Sequence, residues 1–114
     1  MKVTVLSSGS KGNTTYIESE KSKILIDAGN SSKYILNKLE ELNINSQEID
    51  AILITHTHTD HTKGLPVLLK KINPCVYMTE KMRPYLDYVE NYYLIDSETI
   101  DIKDLNIDVI KKTG

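Results

Sequence analysis

The stretch ILITHTHTDHTKG (52–64) contains every histidine in the chain: His56, His58 and His61. AILIT (51–55), which leads into the histidines, is a continuous apolar run of strand length. Such a run suits a strand buried on both faces. The segment after it, GLPVLLKKI (64–72), places Leu65, Leu68, Leu69 and Ile72 on one helical face. Pro66 there falls in a tolerated first-turn position. A polar loop rich in metal-ligand side chains therefore joins a buried strand to a helix.

The spacing is His-x-His-x-Asp-His. In an extended segment, residues i and i+2 project to the same side. His56 and His58 are thus predicted to reach one ion, and Asp60 and His61 a second one nearby. Neutral imidazole suits zinc or manganese, and carboxylate suits the harder partner of such a pair. A solvated polar loop is the plain alternative, but four ligand-type residues within six positions at a strand end favour metal.

Working outward, Val3 to Leu6 reads as a first strand and SSGSKGN (7–13) as a loop. TTYIES (14–19) and SKILIDAG (22–29) form a predicted hairpin about Glu20-Lys21. Asn30, Ser31 and Ser32 start a helix over 32–43 carrying Ile35, Leu36, Leu39 and Leu42. CVYMT (75–79) is a further strand. Thr79 is predicted to cap a helix bearing Met82, Leu86, Val89 and Tyr93, with Pro84 delaying or kinking it. Ile100 and Ile102, a turn at Lys103-Asp104, then Leu105, Ile107 and Val109 predict a hairpin with one buried face. Strands separated by helices give a layered α/β fold class with a mixed sheet.

Composition sets bounds. Hydrophobic residues make up 39% and charged residues 26%, with a net charge of −2. This is the profile of a globular domain without a basic stripe for coating nucleic acid. A nucleic-acid enzyme stays open, because bound divalent metals add local positive charge. Val3 to Leu6 is too short for a membrane span or signal core, so no membrane partner is expected. The single cysteine, Cys75, permits no intrachain disulfide and predicts a cytoplasmic, reducing location. Cys75 reads as core rather than nucleophile. The tyrosines Tyr85, Tyr88, Tyr92 and Tyr93 read as packing residues rather than base-stacking ones. Lys70-Lys71 and Lys111-Lys112 read as solvated pairs.

THTHTDHTKG (55–64) resembles the HxHxDH signature of the metallo-β-lactamase fold. The resemblance implies an αββα sandwich of which residues 1–114 are the N-terminal half, a single incomplete domain with helices on one face of its sheet. Oxygen-reducing diiron members resemble HxExD, whereas position 58 here is His, which favours hydrolysis. VLSSGSKGNTTYIE (5–18), ILIDAG (24–29), IDAILITHTHTDHTKGLPVL (49–68) and VYMTEKM (76–82) are similar, in order, to the YycJ/WalJ-type branch.

That branch implies a metal-dependent phosphodiesterase or exonuclease acting on nucleic acid. Two divalent metals, zinc or manganese, would lie about 3.5–4 Å apart and bind a hydroxide that attacks phosphorus in line. By the same resemblance His56 and His58 match ligands of the first metal. Asp60 and His61 match ligands of the second, with Asp60 also orienting the nucleophile as the catalytic residue. Asp27 matches a carboxylate behind the ligands, with a simple turn residue as the alternative. Ser8, Ser10 and Asn13 lie in a loop near the metal mouth, where they either bond a substrate phosphate or only shape the loop.

The family also takes a third histidine, a bridging aspartate and a final histidine from later in its chain. No histidine follows His61 here. The tail DIKDLNIDVIKKTG (101–114) resembles the hairpin leading into the third histidine. An apolar sheet face is therefore expected to be exposed, and a homo-oligomer through it is one consequence. Two rival functions remain: a thioester or lactone hydrolase, implied by the resemblance to relatives that share the THxHxDH motif, and a non-catalytic metal-binding or assembly half-domain.

Overall fold

The computed structural model describes residues 1–110. Lys111-Lys112 and the rest of the tail lie outside the described residues. Six strands form one mixed sheet in chain order: β1 (Lys2–Ser7), β2 (Thr14–Glu18), β3 (Lys23–Ile26), β4 (Ala51–Leu53), β5 (Cys75–Thr79) and β6 (Tyr92–Ile95). β1 to β3 are antiparallel, and β3 to β6 are parallel. Helix α1 (Ser32–Glu41) connects β3 to β4. Two short helices, α2 (Thr59–Thr62) and α3 (Leu65–Leu68), connect β4 to β5. A separate hairpin, β7 (Thr99–Ile102) and β8 (Leu105–Asp108), follows.

Parallel neighbours joined by right-handed crossovers, all advancing in one direction, put every connection on the same side. The helices of this chain accordingly share one face. The row Tyr16, Leu25, Ile52 and Val76 crosses that face in register. It packs with Ile35 and Leu39 of α1 and with Leu65 and Leu68 of α3 into the main core. Ser31 caps α1, its hydroxyl accepting from Tyr34 N.

The opposite face carries Ile17, Ile24 and Ala51 in one row and Ile26, Leu53 and Tyr77 in the next. Here the expectation of an open apolar face needs correcting. The β7–β8 hairpin lays Ile100, Ile102 and Leu105 over the centre of that face, forming a second core with Ile24, Ala51 and Leu53. Among the described residues, apolar side chains of this face stay uncovered toward the margins, with Val3 60% and Val5 62% exposed on β1 and Tyr93 48% exposed on β6.

The segment after β5 also departs from expectation. The predicted helix reaching Tyr93 is a 3-10 helix, Glu80–Leu86, with Pro84 inside it. Tyr92-Tyr93-Leu94-Ile95 is an edge strand paired with Val76 to Thr79. Proline lacks the N–H an α-helix needs, and the β-formers beyond it extend the sheet instead. The predicted strand 51–55 ends at Leu53, and the helix predicted over 64–72 is regular only from Leu65 to Leu68. Among the described residues, no helix is long and apolar enough to cross a membrane.

Candidate metal centre

The chemistry-bearing side chains gather at the carboxyl ends of β3 and β4, where open α/β sheets place their sites. Asp27 follows β3 immediately. It is 4% exposed and adopts a left-handed backbone conformation with φ +64°. Asp is among the few non-glycine residues that tolerate this region. The turn aims its carboxylate at the residues leaving β4. Its Oδ1 accepts from Thr55 N at 2.7 Å. Its Oδ2 accepts from Thr55 Oγ1 at 2.5 Å and from His61 Nδ1 at 2.7 Å. Asp27 is therefore more than a turn residue: it ties the strand end to the last histidine.

The other residues divide. The rings of His56 and His61 lie side by side, centroids 4.7 Å apart. Asp60 Oδ2 is 3.7 Å from His61 Nε2. Two ligands about 2.1 Å from one tetrahedral ion lie about 3.4 Å apart, so this pair is spaced close to what a shared cation requires. His58 stands at the N-terminus of α2, its carbonyl accepting from His61 N and Thr62 Oγ1. Among the described residues, no three His, Cys, Asp or Glu side chains converge on a point that would hold an ion. The donor chemistry, imidazole and carboxylate, fits a divalent metal.

The loop carrying these residues is held by backbone. Asn13 N donates to Asp60 O at 2.7 Å, Ala28 N to His61 O at 2.9 Å, and Gly64 N to Ala28 O at 2.8 Å. The approach is so close that a Cβ on Gly29 would sit 1.8 Å from Asp60 O. Gly12, at φ +136°, has a similar fit, with Gly29 O 2.4 Å from where its Cβ would be.

Of its two readings, the bonds of Asn13 match the one in which it shapes the loop. Its amide nitrogen donates to Gly9 O at 3.1 Å and Asp60 O at 3.2 Å, and its oxygen accepts from Gly9 N at 3.2 Å. These bonds join the SSGSKGN loop to the histidine loop. Ser8 and Ser10 are exposed. Sequence reasoning missed Thr55 altogether, because nothing local distinguishes a threonine directly before a histidine.

Cys75 is half-buried, and burial pushes its thiol up, away from the thiolate a nucleophile needs. Tyr92 and Tyr93 lie on β6 rather than on a helix, with Arg83 stacked 3.9 Å from the Tyr92 ring centroid. The same Arg83 donates to Leu86 O and Val89 O, both at 2.8 Å.

A mixed sheet with helices on one face and this loop at its carboxyl edge define a class, and the chain belongs to the Metallo-beta-lactamase superfamily, whose family profile matches residues 8–110. Within it, the chain is 48% identical over 80 residues to the exodeoxyribonuclease WalJ of Streptococcus pneumoniae. It is 49% identical over 79 residues to the exodeoxyribonuclease YycJ of Bacillus anthracis. The matched parts cover 70% and 68% of this chain but only 30% and 29% of those relatives. A solved B3 metallo-beta-lactamase with an active-site glutamic acid superposes with a TM-score of 0.79 at 20% identity. That superposition covers 93% of this chain and 47% of the other, and shows the shared fold.

Proposed function

We propose that this chain supplies one side of a two-metal hydrolytic site that cleaves phosphodiester bonds at the ends of nucleic acid. The observation that carries the site is the cluster at the ends of β3 and β4, in which buried Asp27 anchors His61 and Asp60 Oδ2 lies 3.7 Å from His61 Nε2. Support for nucleic acid comes from the relatives named exodeoxyribonucleases.

In this reading His56 and His58 hold one divalent ion, zinc or manganese, and Asp60 and His61 hold the other. When bound, the ions supply Lewis acidity and a nucleophile at neutral pH. Asp60, fixed at its backbone carbonyl by Asn13, directs its carboxylate toward the incoming water. Asp27 keeps the His61 ring oriented. The remaining donors come from outside the described residues, from further chain or a second copy. The domain 1–114 is then an N-terminal half, working in the cytoplasm.

A second reading is a non-catalytic metal-binding half-domain, because no three-donor cluster forms among the described residues. Elemental analysis with end-labelled DNA separates the two. Bound zinc or manganese that drops in Asp60→Ala, together with release of nucleotides from the labelled end, is the expected result. Metal without cleavage leaves the half-domain. Cleavage of a thioester in preference to DNA would instead indicate small-molecule hydrolysis. No metal above background in either protein removes the metal centre itself.

A further inference from the structure

The bond inventory around Asp27 fixes more than one histidine. An ionised carboxylate only accepts hydrogen bonds. Its Oδ2 has two neighbours, Thr55 Oγ1 at 2.5 Å and His61 Nδ1 at 2.7 Å, so both must donate. A hydroxyl has a single proton, and Thr55 gives it to Asp27. Toward His56 Nδ1, 3.1 Å away, Thr55 Oγ1 is left only as an acceptor. His56 must then carry its proton on Nδ1, as His61 does. Both rings are left with Nε2 as the free lone pair, opposite to the tautomer that a histidine side chain favours in water. The Thr55 hydroxyl is held in place by its own backbone, because Thr55 N donates to the other carboxylate oxygen at 2.7 Å.

We propose that Thr55 is a positioning residue through which one buried carboxylate sets the tautomer of two histidines, His61 directly and His56 by way of the Thr55 hydroxyl. The proposal deepens the metal-centre reading, since Nε2 is then the atom each ring offers to an ion. It concerns the metal-free protein, so it stands or falls separately from metal binding. His58 provides the internal contrast, as its ring has no such partner among the described residues.

The test is long-range 15N-edited NMR of the metal-free protein at a pH of about 8, where imidazole is neutral. In the native chain, His56 and His61 are expected as Nδ1–H tautomers and His58 as the ordinary mixture. Thr55→Val keeps the shape and removes the hydroxyl. His56 is then expected to revert to the mixture while His61 holds, and Thr55→Ser is expected to restore His56. Zinc titration should show an affinity loss of about ten- to a hundredfold in Thr55→Val and little loss in Thr55→Ser.

A native His56 already protonated at Nε2 overturns the proposal, as does an unchanged His56 in Thr55→Val. Should the valine variant fail to fold, the native spectrum alone still decides. Correct tautomers in a protein that binds no zinc would sink the metal reading and leave this one standing.

Discussion

Two segments are fastened to the same sheet by different means. The histidine loop (56–64) is held largely by main chain, with the Asp27 carboxylate and the Asn13 amide added: Asn13, Ala28 and Gly64 exchange backbone bonds across it, and Gly29 lies against Asp60 O with no space for a side chain. The β7–β8 hairpin is held by side chains. Asp104 accepts from Ser19 and Ser22 hydroxyls, each at 2.6 Å, and from Lys21 N at 3.2 Å. Lys103 pairs with Asp50 at 2.7 Å, and Ile100, Ile102 and Leu105 supply the apolar contact. Main-chain fastening is indifferent to charge and fixes geometry, as a ligand loop requires. Side-chain fastening can be loosened by acid or by single substitutions, so the hairpin is the adjustable cover of the sheet.

Four substitutions probe that contrast, in descending order of effect. Gly29→Ala forces a methyl group onto the Asp60 carbonyl and should cost at least about 4 kcal/mol, the range of exceptional mutations. Urea denaturation would show the loss, and a protein that stays within 1 kcal/mol of native would refute main-chain fastening. Leu105→Ala empties a buried position under the hairpin, for which about 2–3 kcal/mol is expected by the same measurement. Its amide-exchange signature should be confined to β7 and β8, with the histidine loop still protected.

Asp104→Asn comes third. Hydrogen bonds from Ser19 and Ser22 lower the Asp104 carboxyl from 3.8 to about 2. A carboxyl depressed on folding contributes stability in full above its unfolded value. That contribution fades as pH falls from about 4 toward 2. Native protein should therefore lose hairpin protection across that window, and the asparagine variant should lack that step.

The smallest change is expected for Lys103→Gly. Lys103 is left-handed at φ +52°, so glycine relieves strain while giving up an exposed ion pair. The two effects are each about 1 kcal/mol or less and opposed. A net loss above about 1 kcal/mol in thermal unfolding would show the ion pair to be a stronger fastener than its exposure implies.

Much of this arrangement was legible in the sequence. The alternation of Ile100, Ile102, Leu105 and Ile107 located the tail hairpin and its Lys103-Asp104 turn, because period two and a polar break leave little ambiguity. The buried strand before His56 was equally plain, since Ala51 to Ile54 is apolar on both faces. What misled was Met82, Leu86, Val89 and Tyr93, whose spacing mimics a helix. Pro84 and the β-forming run Tyr92 to Ile95 outweighed that spacing once β5 offered an edge.

That the hairpin would fold back over Ile24 and Leu53 is a long-range packing outcome, which no local pattern encodes. The candidate ligands stand out by type and spacing. The Thr55 bridge does not, because threonine before a histidine is chemically unremarkable until the left-handed turn at Asp27 brings a carboxylate to it.

Strand order in the six-stranded sheet is the same as chain order, from β1 to β6. Each new strand therefore docks on the one made just before it. No strand of that sheet waits for a partner beyond its immediate predecessor in the chain, and the entropic cost of closing a loop rises only slowly with its length, so the two long helical crossovers, 27–50 and 54–74, add little to the barrier. On a ribosome, such a sheet lengthens by one strand at a time as the chain emerges, N-terminal strands first. From β3 onward its growing margin is a parallel edge, open to the next segment until β6 occupies it.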